Sequence, residues 1–231
     1  MKKAGLIGGL GPASTLDYYR EIIEGCMKKT GDGNYPEIII NSINMTEIMS
    51  DIADDHWNKV ADRLVKSVKE LAGGGAEFAA IASNTPHIVF DRVSERSPIP
   101  LISIVQETCA KIIQMRVKKP LIIGTLFTMR EKLYSGVLER QGINPVEITD
   151  EEQEIIYSLF YPNLENGVLI EEDKRRMLAL VNGIICERSA DSLVLACTEL
   201  PLMIKPEDIK MPVIDTMRVH IDAIIEHMTN K

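Results

Sequence analysis

The sequence predicts an α/β protein made of two pseudo-symmetric lobes, each a mostly parallel sheet flanked by helices. Three observations lead there. Short continuous apolar runs alternate with longer stretches of helical spacing, the pattern left by strands buried on both faces of a parallel sheet. The second half of the chain repeats the plan of the first. The composition is ordinary for a globular chain, with 231 residues, 45% apolar and 26% charged, which is long enough to bury a core without staples.

The elements follow in order. Residues 4–7 read as a buried strand, and Gly8, Gly9, Leu10 and Gly11 as a loop. Pro12 suits the first turn of a helix. Residues 14–29 then carry Leu16, Tyr19, Ile22, Ile23 and Cys26 at helical spacing. Three consecutive isoleucines make residues 37–41 strand-like. Residues 57–71 are helical through Val60, Leu64, Val68 and Leu71, and Gly73, Gly74 and Gly75 end that helix. Residues 78–82 and 100–104 are the next strands, the second after a turn at Ser97 and Pro98. In the second half, residues 120–124, 146–148, 192–196 and 212–214 read as strands. Residues 129–141, 151–161, 171–187 and a final stretch from about residue 217 to 228 read as helices.

The halves also match internally. The strand ending at Gly8 stands to Ser83 as the strand ending at Gly124 stands to Cys197. Ile81, Ala82, Ser83, Asn84, Thr85 and Pro86 correspond in kind to the run from Leu195 and Ala196 through Cys197, Thr198 and Glu199 to Leu200 and Pro201. Each is an apolar strand closing in a nucleophile-type residue and a Thr, followed by a Pro that can open a helix. The expected lobes are residues 1–98 plus 212–231, with the last helix returning to the first lobe, and residues 99–211. Ligands of open α/β sheets bind at the carboxyl ends of the strands. If the lobes face each other, Ser83 and Cys197 flank one cleft.

Charge and cysteines narrow the function. With 26 Lys and Arg against 34 Asp and Glu the formal charge is −8, and no basic cluster occurs. That argues against a nucleic-acid partner, which needs a clustered cationic face. No apolar run approaches the roughly 18 residues that span a bilayer, and glycines and Pro12 interrupt any leader-like start. A small-molecule partner is expected, with no membrane. The four cysteines have neither CxxC nor zinc spacing and read as reduced thiols of a cytoplasmic protein. Cys26, Cys109 and Cys186 lie in amphipathic stretches and read as inert. Cys197, at a strand-to-helix turn, is either a thiol tuned by nearby N–H groups or a core cysteine. Gly9, Gly11 and Ser14 only loosely match a dinucleotide fingerprint, since the third Gly is missing and the second strand ends in Asn41. The loop better suits backbone N–H groups offered to a carboxylate. His220 and His227 share a helix face but lack a third metal ligand. His87 either orients a catalytic group or bonds locally.

Taken together, the segments Gly8 to Pro12, Ser83 to His87 and Cys197 to Pro201 resemble the three signatures of the aspartate/glutamate racemase family, in order and spacing over nearly the whole chain. The resemblance implies two pseudo-symmetric lobes with the site in the interlobe cleft, a homodimer, and racemisation of an amino acid with no cofactor and no metal. One thiolate removes the Cα proton and a second thiol donates from the far face, because inversion needs an acid and a base on opposite sides. The residues that match are Cys197 and Ser83 for catalysis. Asn84, Thr85, Thr125, Thr198 and the backbone near Leu10 would bind substrate, with Glu199 and His87 supporting.

Two departures shape the expectation. Ser83 replaces a cysteine, and a hydroxyl is a far weaker acid than a thiol, so catalysis should be uneven, with Cys197 the principal acid/base. The positions that carry basic residues in acid-specific members fall at Ile48 and Glu165, and neither is cationic. The substrate is therefore expected to be a neutral or basic amino acid, with Glu165 and Asp51 available to pair with a cationic side chain. The alternative for Glu165 is a solvated loop carboxylate. A one-cysteine decarboxylase or isomerase of similar fold, and a non-catalytic amino-acid binder, are the competing functions.

Overall fold

The computed structural model describes residues 1–230. In chain order the elements are β1 (Ala4–Gly8), α1 (Pro12–Thr30), β2 (Ile38–Ser42), α2 (Met45–Ala53), α3 (Trp57–Gly73), β3 (Phe78–Ile81), a 3-10 turn (Thr85–Val89) running into α4 (Phe90–Ser94), β4 (Leu101–Ile102) and α5 (Ile104–Gln114). They continue with β5 (Pro120–Gly124), α6 (Leu126–Arg130), α7 (Ser135–Glu139), α8 (Asp150–Ser158), α9 (Glu171–Arg188), β6 (Ser192–Ala196), α10 (Leu200–Met203), β7 (Val213–Asp215) and α11 (Thr216–Thr229). The chain divides into two compact units, the first Met1–Glu107 with the segment from Met217 onward, the second Thr108–Thr216.

In the first unit a parallel sheet runs in the order β2-β1-β3-β4. Alternation along β1 sorts its faces. Ala4 and Leu6 join Tyr18, Ile22 and Cys26 of α1 and Ile221, Ile224 and Met228 of α11 in one apolar cluster. Gly5 points the other way, where a Cβ would lie 3.2 Å from Leu71 of α3. Both faces of β1 are thus covered, which is why the strand reads as a continuous apolar run. Each fully buried Leu or Ile there contributes about 1.5–3 kcal/mol. Pro12 opens α1 at a position whose N–H has no helical acceptor anyway. Gly31 closes it in the left-handed conformation, donating its N–H to Met27 O.

In the second unit the parallel sheet runs β5-β6-β7. Leu121, Ile123, Leu193 and Leu195 pack with Ile156 of α8 and Met177, Val181 and Ile184 of α9. A capping box starts α8: Thr149 accepts from the Glu152 N–H while Glu152 accepts from the Thr149 N–H. Glu152 also receives two bonds from Arg188, at 2.9 and 2.6 Å, tying α8 to the end of α9.

Several expectations are corrected. The strand at 146–148 does not form; Val146 makes one ladder-like bond to Pro120 O at 2.8 Å and stops there. Pro120 and Pro145 both lack the N–H that a ladder needs, so among the described residues the second sheet has three strands where the first has four. The helix at 129–141 is two short helices, α6 and α7. Lys132, in the left-handed region at φ 49°, breaks them apart. The strand at 100–104 pairs with β3, so residues 99–107 belong with the first unit and not the second. Conversely β7 pairs with β6, so residues 212–216 belong with the second unit and not the first. Helix α2 and the 3-10 turn were not anticipated.

Gly124 closes β5 opposite Ala196, and a Cβ on it would lie 2.7 Å from Ala196 O. A backbone oxygen in a sheet cannot swing aside as a side chain can. Gly124→Ala is expected to destabilise the chain by about 1–3 kcal/mol, read as a lower urea midpoint with an unchanged slope.

Candidate active site

The carboxyl ends of β1 and β3 are neighbours, since these strands pair in register and Ala82 N–H donates to Ile7 O at 2.9 Å. This places the Gly8–Leu10 loop beside Ser83, Asn84 and Thr85. Thr15 of α1 stitches that loop. Its Oγ1 accepts from Gly9 N–H at 2.9 Å and donates to Gly11 O at 3.1 Å. Gly9 has φ 81°, and a Cβ there would lie 2.5 Å from Ile43 O, so only glycine fits. Leu10, Asn84, Thr85 and His87 are all buried, and Ser83 is 8% exposed.

Ser83 is pinned through its backbone. Its N–H donates to Ile81 O at 2.8 Å, and its C=O accepts from His87 Nδ1 at 2.8 Å. The other ring nitrogen of His87 accepts from the Ile104 N–H at 3.3 Å. His87 is therefore the neutral Nδ1–H tautomer. Burial, and secondarily His220, lower its pKa from 6.5 to about 3. Of the two roles open to His87 in the sequence, the local hydrogen bond is present.

Ile48, expected to contact substrate, is 0% exposed and sits in the core. Its register on α2 turns it inward, and the polar corner outside it is occupied by ion pairs. Arg63 of α3 bonds Glu47 and also donates from Nε to Asp51 Oδ2 at 2.8 Å. Asp51 is thus already engaged, its carboxyl held below the usual range chiefly by Arg63, and it is not available to pair with a ligand as expected.

In the second unit, Thr125 follows Gly124 and caps α6, its Oγ1 accepting from Thr128 N–H at 3.2 Å. Cys197 leaves β6 only 6% exposed. Its Sγ–H donates to Glu199 Oε2 at 2.9 Å, and Thr198 Oγ1 donates to the same oxygen at 2.9 Å. Burial, then the Glu199 charge, push the thiol well above its ordinary pKa, while the backbone N–H groups of Glu199 and Leu200 pull the other way. At neutral pH the group rests as a thiol.

Glu165 lies in the 3-10 turn Leu164–Asn166, half-buried. Burial and the Glu199 charge raise its pKa, and no cation pairs with it among the described residues. Tyr157 and Tyr161 stack at 4.8 Å nearby, and Tyr157 is pushed up to about 12 by burial and then by Tyr161, Glu165 and Cys197. These tyrosines escaped the sequence reading; their i, i+4 spacing on α8 and its C-terminal turn was the available signal. No group of His, Cys, Asp and Glu among the described residues could hold a metal. No helix among them is long and apolar enough to cross a membrane.

The profile of the Asp/Glu/Hydantoin racemase family matches residues 7–224. The chain belongs to that family. It is similar to a broad specificity amino-acid racemase of Bacillus subtilis (strain 168), 27% identical over 92% of each chain. A crystal structure of an aspartate racemase homologue from Pyrococcus horikoshii OT3 is 35% identical, with TM-score 0.88 over 100% of both chains. A structure from Yersinia pestis assigned to the Asp/Glu racemases is 28% identical, with TM-score 0.92 over 100% of both. The chain is an isomerase, a cofactor-independent amino-acid racemase. The family expectation drawn from the three sequence segments is borne out, as is the α/β fold with parallel sheets.

The buried histidines of this racemase set an acid limit on its fold. His220 is lowered by burial from 6.5 to about 4 and His87 to about 3. The unfolded chain takes up these protons first, so stability is full above pH 6.5 and falls as the pH drops toward 4 and then 3. Each histidine removes up to about 1.4 kcal/mol per pH unit in that window. Urea midpoints at pH 7, 6 and 5 are expected to decline in step.

Proposed function

We propose that this racemase inverts a neutral or basic amino acid in preference to aspartate or glutamate, with Cys197 as principal acid/base and Ser83 as hydroxyl donor to the opposite face of Cα. The observation that carries the reading is the 2.9 Å bond from Cys197 Sγ to Glu199 Oε2. A resting thiol can act as a base only if its own proton has somewhere to go, and Glu199 is within reach. The S–H proton passes to Glu199, and the freed sulfur pair takes the Cα proton. The C–H bonding pair stays on the substrate as a carbanion that delocalises into its carboxylate. In the reverse direction the thiol gives its proton to the carbanion and regains one from Glu199. The N–H groups of Glu199 and Leu200 steady the transient thiolate.

The Ser83 hydroxyl rests protonated at neutral pH and gives its proton to the strongly basic carbanion, the O–H bond breaking as the Cα–H bond forms, and the transient alkoxide takes a proton back from solvent water. Asn84, Thr85, Thr125, the backbone of Thr198 and the backbone near Leu10 are the proposed donors to the substrate's carboxylate, whose charge grows in the transition state, the Thr198 hydroxyl being given to Glu199.

Glu165 supports the choice of substrate. Its pKa is already raised by burial and by Glu199, so a substrate carboxylate there would add like charge, whereas a cationic side chain would relieve it. The broad specificity named for the Bacillus subtilis relative agrees.

In D2O, Cys197→Ala is expected to lower both Cα deuterium exchange and racemisation by about a thousandfold or more. A panel of L-amino acids followed by chiral chromatography should show turnover of neutral or basic substrates, and Glu165→Lys should shift preference toward aspartate or glutamate by about tenfold. Robust turnover of aspartate alone by the natural sequence refutes the substrate assignment; an active Cys197→Ala refutes the catalytic one.

A further inference from the structure

Ser83 lies at one end of a buried set of hydrogen bonds that draws on α1, α11, β4, α5 and the 3-10 turn. Tyr18 of α1 donates its hydroxyl proton to His220 Nδ1 at 2.8 Å. His220, on α11, donates from Nε2 to Ile102 O at 3.0 Å, at the end of β4. Two residues on, the Ile104 N–H that opens α5 donates to His87 Nε2 at 3.3 Å. His87 donates from Nδ1 to Ser83 O at 2.8 Å. A carbonyl oxygen can only accept and a backbone N–H can only donate, so His87 is neutral with its proton on Nδ1, while His220 carries its proton on Nε2 and is kept neutral by burial, which leaves Nδ1 to accept from Tyr18.

The bonds form two aligned pairs, Tyr18 to His220 to Ile102 O and Ile104 N–H to His87 to Ser83 O, joined by the backbone of Ser103 and by the edge-on contact of the two rings. Within each pair the bonds polarise one another. The last one ends on the peptide that joins Ser83 to Asn84, where a bond accepted by the carbonyl strengthens the N–H of the same peptide as a donor. The rings are held as well. His87 stacks on Phe90 at 5.2 Å and meets His220 edge-on at 6.2 Å. Both histidines and Tyr18 are buried, so no solvent competes for these bonds.

We infer that Tyr18, His220 and His87 are positioning residues for the Ser83 half of the reaction, locking the Ser83–Asn84 peptide so that the Ser83 hydroxyl is aimed at its proton acceptor. The inference rests on the proposed role of Ser83 as the second proton donor.

The test separates the two faces of the substrate. For the enantiomer whose Cα proton is taken by Cys197, incubation in D2O yields deuterated substrate of retained configuration and deuterated product of inverted configuration, resolved by chiral chromatography with mass detection. Retention reports Cys197 and inversion reports Ser83. Tyr18→Phe removes one oxygen and keeps the ring. It is expected to lower the ratio of inversion to retention about threefold, because the His220 ring that meets His87 edge-on loses the bond that orients it. His87→Ala should lower the ratio about tenfold or more, with His87→Gln restoring part of it, and total exchange at Cα should stay within about twofold. Retention and inversion falling together in these variants, or a ratio unmoved in all of them, overturns the inference. Ser83→Ala is the control for the reading beneath it. If Ser83→Ala leaves the ratio unchanged, the role of Ser83 fails. If Ser83→Ala collapses the ratio while Tyr18→Phe and His87→Gln do not move it, the positioning chain alone fails. Should His87→Ala not fold, the other two variants decide.

Discussion

At the end of β6 a buried thiol donates its proton to a neighbouring carboxylate, and the chemistry proposed for this racemase depends on that contact. The contact exists because β6 is covered on both faces. Leu193 and Leu195 are fully buried, which fixes the strand and delivers Cys197 to its carboxyl end with almost no exposure. Burial alone would make the thiol inert. The turn that follows changes this by presenting Glu199 as a proton acceptor and two backbone N–H groups as stabilisers of the charged form. Thr198 donates to the same Glu199 oxygen, holding the carboxylate toward the sulfur.

The two units solve the same structural problem with opposite electrostatics. In each, a glycine closes one strand and a nucleophile-type residue follows its neighbour. Around Cys197 the surroundings are anionic, and the Glu199 charge is felt both by the thiol and by Glu165. Around Ser83 they are neutral, built from two uncharged histidines and a tyrosine. A thiol needs a nearby base to act as one, whereas a hydroxyl that only donates needs orientation. The two environments match the different roles proposed for Cys197 and Ser83.

Much of the fold was legible because it rests on local chemistry. Strands β1, β3, β5 and β6 appear as short apolar runs, and the long helices α1, α3, α9 and α11 as amphipathic ones. The misreadings have specific causes. Two prolines remove the donors that residues 146–148 needed to become a strand. A single left-handed residue, Lys132, divides a pattern that otherwise reads as one helix. Strand β4 is only two residues long, so its sequence does not reveal its partner, and only its pairing with β3 places it in the first unit. Ile48 was aligned as a substrate contact, but burial of the α2 face turns it into the core.

The sequence by itself determined the family, the parallel α/β plan and the identity of Cys197, Ser83, Thr198, Glu199 and Asn84 as residues at strand ends, because motif order and apolar periodicity are properties of the chain. Only the tertiary structure decided what surrounds them. Nothing in the order of residues says that Tyr18 and His220, 202 positions apart, share a proton, that His87 is the tautomer that holds Ser83, or that Asp51 is already taken by Arg63. Those relations depend on which helix covers which face of the sheet. Long-range packing sets that, and it sets tautomer and pKa through burial rather than through neighbours in the chain.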